Sequence, residues 1–306
     1  MNGVLVIDKP AGPTSHDIVA AVRRATGLRR VGHTGTLDPM ATGVLPLVLG
    51  RATRLARFLT GEEKVYEAGI RFGRATDTYD ATGTSVPAPP ASAQGGAAAA
   101  LGGFSREEFE EALAPFLGTY GQQPPPFSAK KLNGVRAYEL ARRGLATQPK
   151  AVTVTVTELA ILAWAPDHLL IRIACSAGFY VRALAHALGA RLGCGAHLET
   201  LRRTRSGGFD LDQAVPLEVV EREGRAAIAR VVPMNGLLGA LPAVTLSAAG
   251  TRRAAQGQEI GAADLAAPVA LPPQSRVRLL SPDGSLVAIA EAGRGPGLLH
   301  PALVLR

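Results

Sequence analysis

The sequence predicts an α+β fold, with a mixed, largely antiparallel sheet flanked by helices, followed by a small β-rich domain. Strand-like and helix-like segments mix along the first part of the chain without the strict strand–helix alternation of a parallel sheet. The composition changes around residues 233–242, and short strand-like segments separated by turns follow. With 306 residues and 47% hydrophobic content, the chain is long and apolar enough for one large and one small domain.

The first quarter of the chain carries local signals for three strands and two helices. Thr14 or Ser15 is expected to be the N-cap of the first helix, and Gly27 to end it. Pro46 predicts that the second strand lies at a sheet edge or pairs irregularly. The predicted elements are strand 3–10, helix 14–27, strand 44–50, helix 51–59 and strand 64–73.

The middle of the chain continues the mixture of helices and strands. Residues 86–103 are Pro, Ala and Gly without a pattern, which predicts a flexible surface loop. Ser105 and Glu108 form the signature of a capping box for a helix over 105–118. The further elements are a basic, Pro-rich segment that becomes helical within 122–144, strands 151–162 and 168–178, helix 179–193, and an Arg-rich strand or turn over 196–209.

The tail has the pattern of a separate small domain over residues 240–306. A short helix is predicted over 247–257. Three strands are predicted at 276–280, 285–292 and 301–306, and the turn sequences SPDG and GRGPG separate them.

The charge of the chain suggests a polyanionic partner. The net charge is +8, and the arginines cluster within residues 22–30, 49–58, 141–144 and 201–208. Each phosphate contact releases a condensed counterion, so such clusters suit a nucleic acid. Solvated helix faces, in a chain where Arg replaces most Lys, are the alternative; we favour the polyanion.

The remaining composition predicts a cytoplasmic protein. Two cysteines, Cys175 and Cys194, are too few for a disulfide framework. The N-terminus lacks the basic and apolar regions of a signal peptide, and no apolar run reaches the length of a membrane span. Cys194 and His197 suggest a metal site only weakly, because the spacing has no second pair.

One short stretch, GHTGTLDPMATGVL at residues 32–45, stands out as a candidate for chemistry. Asp38 is its lone carboxylate, and Pro39 after it favours extended geometry at the acid. Gly35 and Gly43 allow tight turns on either side. The spacing fits a catalytic acid and the N-cap of a helix starting at Met40 equally well.

A series of motifs in order identifies a family. The motifs are GVLVIDKPAGPTSHD, GHTGTLDPMATGVLPLVLGRATR, KVYEAGIRFGRATDTYDATG, FSAKKLNGVRAYELARRG, SAGFYVRALAHALGARLGCGAHLETLRRTRSG and MNGLL. In these motifs, and over roughly residues 2–235, the chain resembles the bacterial tRNA pseudouridine-55 synthases of the TruB family.

The resemblance implies a domain organisation and an activity. Residues 1–235 would form a catalytic domain of the pseudouridine synthase fold, with an RNA-clasping insertion at about 120–150, and residues 240–306 a PUA-like RNA-binding domain. The enzyme would isomerise uridine 55 in the T-loop of tRNA to pseudouridine by base flipping. It would need no metal or organic cofactor and no obligatory protein partner, and it could also assist tRNA folding.

The resemblance also implies the residues of a catalytic centre. Asp38 matches the catalytic aspartate, and Arg182 in GFYVR matches an arginine placed to pair with it. Tyr66 matches a tyrosine that lies against the target base and is implicated in removing the C5 proton, and Tyr180 a second aromatic residue of the pocket. Without the motifs, Arg182 would be interpreted as a solvated residue at a helix start, and the tyrosines as ordinary core residues.

Further residues are implied to bind the substrate. His33 matches a histidine that fills the space left by the flipped base, Leu201 an apolar residue packed on the pocket, and Asp80 a carboxylate near it. A simple turn role for His33 and Asp80 and a core role for Leu201 are the alternatives. Basic residues of the insertion would meet phosphates, namely Lys130, Lys131, Arg136, Arg142 and Arg143.

Two other functions compete with this interpretation. One is an RNA-binding or tRNA-folding module without catalysis. The other is a glycoside hydrolase, which needs a second carboxylate about 5–10 Å from the first. Asp80 is the nearby candidate for that second acid. A P-loop NTPase is unsupported, because the sequence has no G-x-x-x-x-G-K-[ST] motif.

Overall fold

The computed structural model describes residues 1–87, 104–127, 150–267 and 276–305, and the backbone of a short hairpin within 131–136. The flexible loop predicted over 86–103 and the helix predicted within 122–144 lie almost entirely outside the described residues. The α-helices of the described part, numbered here along the chain, are α1 (Ser15–Thr26), α2 (Ala56–Thr60), α3 (Arg106–Leu113), α4 (Val181–Arg191), α5 (Leu217–Glu223) and α6 (Ala248–Ala255).

The strands of the described part are short except in the middle of the chain. They are β1 (Gly3–Lys9), β2 (Val31–His33), β3 (Thr42–Leu49), β4 (Lys64–Phe72), β5 (Ala75–Thr76), β6 (Ser85–Val86), β7 (Gly118–Gln122), β8 (Lys131–Leu132), β9 (Val135–Arg136), β10 (Val152–Ala165), β11 (His168–Cys175), β12 (Ala196–Ser206), β13 (Phe209–Asp210), β14 (Val215–Pro216), β15 (Val232–Pro233), β16 (Ala243–Thr245), β17 (Val277–Leu280), β18 (Leu286–Ala292) and β19 (Leu299–Val304).

The ends of the first helix follow from its sequence. The Thr14 side chain accepts a hydrogen bond from the Asp17 N–H, and the Asp17 carboxylate accepts one from the Thr14 N–H, which completes a capping box. Gly27 ends α1 in the left-handed region, with φ of 73°, and its N–H donates to the Arg23 carbonyl. The boundaries predicted for this helix are therefore correct to within one residue.

The predicted helix over 105–118 is too long. The capping box of Ser105 and Glu108 is present, but α3 ends at Leu113 and a 3₁₀ turn covers Ala114–Phe116. Pro115 at the start of that turn has no N–H to continue an α-helix, so the chain tightens there instead.

The chain folds into two compact units. The first unit contains Met1–Leu37, Leu45–Thr60 and Gly208–Arg306, and the second contains Asp38–Val44 and Gly61–Gly207. In the first unit β1 pairs in parallel with β14 and antiparallel with β15, and β2 pairs antiparallel with β3. The last four strands form a separate sheet in the order β16-β17-β18-β19, over an apolar core of its own.

The second unit is built on long antiparallel pairings. Its strand order is β3-β12-β4-β11-β10-β7, and only the β3–β12 pair in this series is parallel. Helix α4 packs against β12. The mixed, largely antiparallel sheet and the C-terminal β-rich sheet confirm the predicted fold class. The domain boundary near residues 235–240 stays a prediction.

Pro46 is not at a sheet edge, but the other expected outcome, an irregular pairing, is confirmed, because β3 pairs with β12 at Thr42 and Gly43 and with β2 only from Leu47 onward. Strand β3 has β1 on one side and β2 on the other. The pairing of β2 ends at His33 opposite Leu47, so Pro46 lies one residue beyond it and no ladder hydrogen bond is lost there. The Pro46 carbonyl accepts from the Thr34 N–H at 3.2 Å.

Gly43 allows β3 to approach β12 closely. Gly43 lies opposite Arg203 and has φ of 98°. A Cβ atom at this position would lie 2.2 Å from the Arg203 carbonyl oxygen and 2.9 Å from its nitrogen. Only glycine therefore fits here without moving one of the strands.

We expect Gly43→Ala to destabilise the protein more than Gly73→Ala. Gly73 also has a left-handed φ, of 86°, but a Cβ there meets nothing within 4 Å. Both changes should cost about 1–2 kcal/mol for the backbone conformation. The clash at Gly43 should add about 1–3 kcal/mol. Thermal unfolding of both variants followed by circular dichroism measures the difference, and equal midpoints would contradict the close approach.

Candidate active site

Asp38 begins a β-turn and not a helix. The Ala41 N–H donates to the Asp38 carbonyl at 3.0 Å, and strand β3 starts one residue later at Thr42. Pro39 occupies the second position of the turn, where its fixed φ is favoured. The alternative in which Asp38 caps a helix over residues 40–45 is therefore wrong.

Arg182 holds the Asp38 side chain through two parallel contacts. Its Nε lies 2.9 Å from Asp38 Oδ2, and its Nη2 lies 3.1 Å from Oδ1. This bidentate geometry fixes the orientation of a carboxylate better than a single contact does. The Arg182 side chain is 8% exposed and that of Asp38 is 35% exposed. Arg182 is thus a buried anchor, and not a solvated residue at a helix start.

The remaining N–H groups of Arg182 bind two further segments. Nη1 donates to the Thr78 carbonyl at 2.9 Å, and Nη2 donates to the Phe127 carbonyl at 3.0 Å. Nη1 also lies 3.5 Å from Asp80 Oδ2. A buried guanidinium needs partners for all its donors, and here backbone and carboxylate oxygens from separate segments supply them.

Asp80 acts both in a turn and beside the arginine. Its Oδ1 accepts from the Thr78 hydroxyl at 2.8 Å, and from the Thr82 N–H and hydroxyl at 3.0 and 2.6 Å. Its Oδ2 faces Arg182. The sequence analysis left a turn role and a position near the pocket as alternatives for Asp80. In the structure, one carboxylate oxygen bonds within the turn and the other faces Arg182.

Tyr66 lies in the second unit on β4, opposite Arg203 on β12. Directly opposite residues of an antiparallel pair share a face, so the phenol and the guanidinium are neighbours. Burial raises the pKa of Tyr66, and the Asp38 carboxylate raises it further, whereas the charge of Arg203 and its hydrogen bond lower it. The pKa of Tyr66 therefore depends on the charged groups around it as well as on burial.

Arg203 is a residue of this site that sequence reasoning missed. It was grouped with the surface arginines, but it is 1% exposed and its Nε donates to the Val44 carbonyl at 2.7 Å. The signal that could have found it is strand periodicity, because Leu201 and Arg203 alternate with the more exposed Arg202 and Thr204.

Leu201 is buried on the same face of the sheet as Tyr66. It lies opposite Ala68, two residues along from the Arg203–Tyr66 pair. Side chains two residues apart on a strand point to the same side. Leu201, Arg203 and Tyr66 therefore line one patch of the second unit.

Gln122 fixes the backbone of Tyr180, which is the N-cap of α4. The Tyr180 N–H donates to Gln122 Oε1 at 2.8 Å, and Gln122 Nε2 donates to the Tyr180 carbonyl at 3.0 Å. Arg182 follows Tyr180 by two residues, so this pair of bonds sets the start of the helix that carries it. Nothing in the sequence singled out Gln122.

The described contacts of the second unit do not test the other predicted substrate-binding residues. His33 lies in the first unit at the end of β2, and its Nδ1 accepts from the Gly35 N–H at 3.4 Å. Lys130, Arg142 and Arg143 lie outside the described residues. Lys131 and Arg136 are on β8 and β9, and only their backbone is described.

The described residues offer no group of three or more His, Cys, Asp or Glu side chains that could hold a metal ion. Cys175 is buried, which raises its pKa to about 12 and leaves the thiol protonated. His197 Nδ1 lies 2.9 Å from the Arg74 carbonyl oxygen. None of the described helices combines the length and the hydrophobicity of a membrane span.

Two family models match consecutive parts of the chain. The TruB family pseudouridylate synthase N-terminal domain matches residues 23–181, and the tRNA pseudouridylate synthase B C-terminal domain matches residues 182–238. The chain is 45% identical to a tRNA pseudouridine synthase B of Solibacter usitatus, over 100% of both chains. It is 43% identical to the tRNA pseudouridine synthase B of Thermobifida fusca, over 96% of each chain.

Solved structures share the fold. A crystal structure of the archaeal box H/ACA sRNP Nop10-Cbf5 complex aligns with a TM-score of 0.72 at 24% identity, over 99% of this chain and 86% of the other. A Cbf5-Nop10-Gar1 complex aligns with a TM-score of 0.68 at 28% identity, over 95% of this chain and 78% of the other. Motifs, full-length relatives and fold agree, and the chain therefore belongs to the TruB family of tRNA pseudouridylate synthases.

Proposed function

We propose that this tRNA pseudouridine synthase acts on uridine 55 of the T-loop, with Asp38 as the catalytic carboxylate. The observation that carries the proposal is the bidentate Arg182–Asp38 pair. The arginine is buried and the carboxylate is partly open to solvent, so one side of a rigidly held acid can meet a nucleoside. The motif resemblance in which Asp38 matches the catalytic aspartate also implies the T-loop uridine as the substrate, which supports the proposal.

The reaction needs a fixed carboxylate and a route for one proton. The bond between N1 of uracil and C1′ of the ribose breaks, the base turns, and a bond forms between C5 and C1′. C5 loses its proton and N1 gains one, so the product is an isomer of the substrate. A carboxylate held in one orientation can attack the nucleoside or take a proton from it without reorganising.

Tyr66 is proposed to take the C5 proton. It shares a face of the sheet with Leu201, which would pack on the base, and its pKa is sensitive to Asp38 and Arg203. Because the pKa of the phenol is raised, the hydroxyl is mostly protonated near neutral pH. The hydrogen bond from Arg203 partly offsets this and favours the form that accepts a proton.

The target base must leave its stack to reach Asp38, as in other enzymes that act on one base of a folded nucleic acid. Phosphate contacts would hold the RNA while this happens. Exposed arginines on α1, on the loop that follows it and around α2 in the first unit fit that role, namely Arg23, Arg24, Arg29, Arg30, Arg51, Arg54 and Arg57. Assistance of tRNA folding by the same binding surface is part of the proposal.

A glycoside hydrolase is not favoured by the geometry. Its second carboxylate would be Asp80, but Oδ1 of Asp80 accepts three hydrogen bonds within its own turn and Oδ2 faces Arg182. Asp80 is therefore committed to holding the turn and the arginine, and is not presented as a proton donor for a leaving group.

Asp38→Asn should abolish catalysis and leave RNA binding intact. Asparagine keeps the size of the side chain but loses the charge and the basic oxygen. We expect release of tritium from C5-labelled uridine in unmodified tRNA to fall by at least about a thousandfold. Asp167→Asn is the control, since Asp167 is an exposed acid that contacts Arg71 at the surface, at 2.8 Å.

Mapping of pseudouridine in the same tRNA tests the position. Pseudouridine at position 55 with the wild-type protein, and none with Asp38→Asn, is the expected result. Full-speed isomerisation by Asp38→Ala would refute the role of Asp38. Free sugar ends in place of modified RNA would indicate a hydrolase, and tRNA refolding without tritium release by the wild type would indicate a folding module.

Tyr66→Phe should slow the release of the C5 proton by about 10²–10⁴-fold while leaving the Kd for tRNA unchanged. The ring remains and only the hydroxyl is lost. Because the pKa of Tyr66 is raised, the deprotonated fraction grows as the pH increases from neutral. The single-turnover rate of the wild type should therefore rise with pH, and the Tyr66→Phe profile should lose that rise. Identical profiles would exclude Tyr66 as the proton acceptor.

Replacing Arg29 and Arg30 together by Ala should weaken tRNA binding in a salt-dependent way. Both are exposed in the loop between α1 and β2. Each lost phosphate contact should reduce the slope of log Kobs against log salt by about 0.7–0.9. Arg106→Ala is the control, because Arg106 is exposed but paired with Glu110 at 2.8 Å. An unchanged slope in the double variant would remove this loop from the RNA-binding surface.

A further inference from the structure

A cavity of about 350 Å³ is lined by residues of strand β7 and helix α4 in the second unit. This volume is at the small end of the range for ligand sites, about 300–1,000 Å³. The lining residues are Tyr79, Phe116, residues 120–123, and residues 183, 184, 186 and 187 of α4. Among these described residues there is no Asp, Glu, Lys or Arg, so the cavity suits a small neutral molecule.

Four aromatic rings form two pairs in the cavity wall. Tyr79 and His186 stack in parallel, with centroids 3.7 Å apart and an angle of 8° between the planes. Phe116 and Tyr120 meet edge to face, with centroids 5.8 Å apart. Rings attract other rings by offset stacking and by edge contacts, so these walls favour a planar aromatic ligand over a flexible aliphatic one.

The Tyr79 ring is held at this wall in an unfavourable backbone conformation. Tyr79 has φ of 66°, a left-handed conformation that is uncommon for a bulky residue. Its N–H donates to the Thr76 carbonyl at 3.2 Å, and its carbonyl accepts from the Leu198 N–H at 3.0 Å. Both backbone groups are therefore fixed. Strain of this kind persists where the surrounding structure determines the conformation, and it is often found where a ligand binds.

Two of the rings carry buried polar atoms that have no hydrogen-bond partner within the described part of the chain. They are the Tyr120 hydroxyl and His186 Nδ1. Burial raises the pKa of Tyr120 to about 12, although Gln122 acts in the opposite direction, and burial lowers the pKa of His186. Near neutral pH both groups are therefore uncharged. A buried polar atom without a partner is costly, and a polar atom of a ligand would remove that cost.

We propose that this cavity is a binding site for a small, neutral heteroaromatic molecule that diffuses freely, and not for a part of the RNA. The aromatic walls would hold its rings, and the Tyr120 hydroxyl and His186 Nδ1 would bond to polar atoms on its edge. A nucleotide of RNA brings its phosphate with it, and the described lining has no Lys or Arg to meet that charge. The proposal is independent of the role of Asp38.

The test is a calorimetric titration of the full-length protein with probes of known chemistry. Indole, 7-azaindole and 2-quinolinone are neutral, planar and polar at one edge. At least one of them should bind with one-to-one stoichiometry and a Kd below about 1 mM, a modest affinity for a molecule of about ten non-hydrogen atoms. Indole-3-carboxylate is the matched charged probe. It should bind at least about tenfold more weakly than indole, because its charge has no partner in the lining.

Three variants place the bound probe in the cavity. Tyr120→Phe removes only the hydroxyl, so it should weaken the tightest neutral probe by about 2- to 10-fold without lowering the thermal midpoint. Ala187→Leu fills part of the cavity and should weaken the same probe by at least about tenfold. Leu117→Ala is the control, because Leu117 is 56% exposed, adjacent to Phe116 and outside the lining, and its Kd should be unchanged. Circular dichroism of each variant verifies the fold.

Each outcome decides the proposal. Binding that is weakened in Tyr120→Phe and Ala187→Leu, and unchanged in Leu117→Ala, supports it. Binding that neither cavity variant affects places the probe elsewhere and overturns it. Displacement of the probe from Asp38→Asn by an unmodified T-arm stem-loop would assign the rings to RNA and also overturn it. The absence of binding by all three neutral probes refutes it. None of these results changes the role of Asp38, which is measured separately by tritium release.

Discussion

The candidate site depends on one buried guanidinium. Arg182 binds the Asp38 carboxylate at two points and the carbonyls of Thr78 and Phe127 at two more, and it faces Asp80. Because the guanidinium is buried, it would carry a large desolvation penalty without these partners. The arginine therefore does more than neutralise an acid, since it determines where three otherwise separate segments of the second unit meet.

The register of the strands positions the other residues of the candidate site. Arg203 on β12 lies opposite Tyr66 on β4 and opposite Gly43 on β3. A shift of one residue in either pairing would turn these side chains to the other face. The absence of a side chain at Gly43 and the buried bond from Arg203 to the Val44 carbonyl hold β3 against β12. Asp38 precedes β3 by one turn, so the pairing also fixes the end of the turn that carries Asp38.

The arginines of the two units include an exposed group and a buried pair. The arginines of the first unit proposed to contact phosphates are exposed to solvent, whereas Arg182 and Arg203 are buried. The net charge of the sequence includes exposed and buried arginines alike. Only exposed arginines can release counterions from a nucleic acid. The buried pair instead holds the Asp38 carboxylate and the Val44 carbonyl. The stacked Tyr79–His186 pair lies one turn of α4 beyond Arg182.

The sequence by itself determined the fold class, the family and most local boundaries. The capping boxes at Thr14 and Ser105, the left-handed Gly27 and the period of the long strands depend on residues within a few positions of one another. The motifs also indicated that Asp38 and Arg182 belong together. Tertiary structure decided that Arg203 is buried against Val44, that Gln122 fixes Tyr180, and that Tyr79 meets His186. These contacts join residues far apart in the chain, and local periodicity contains no information about which distant strand or helix a polar side chain will face.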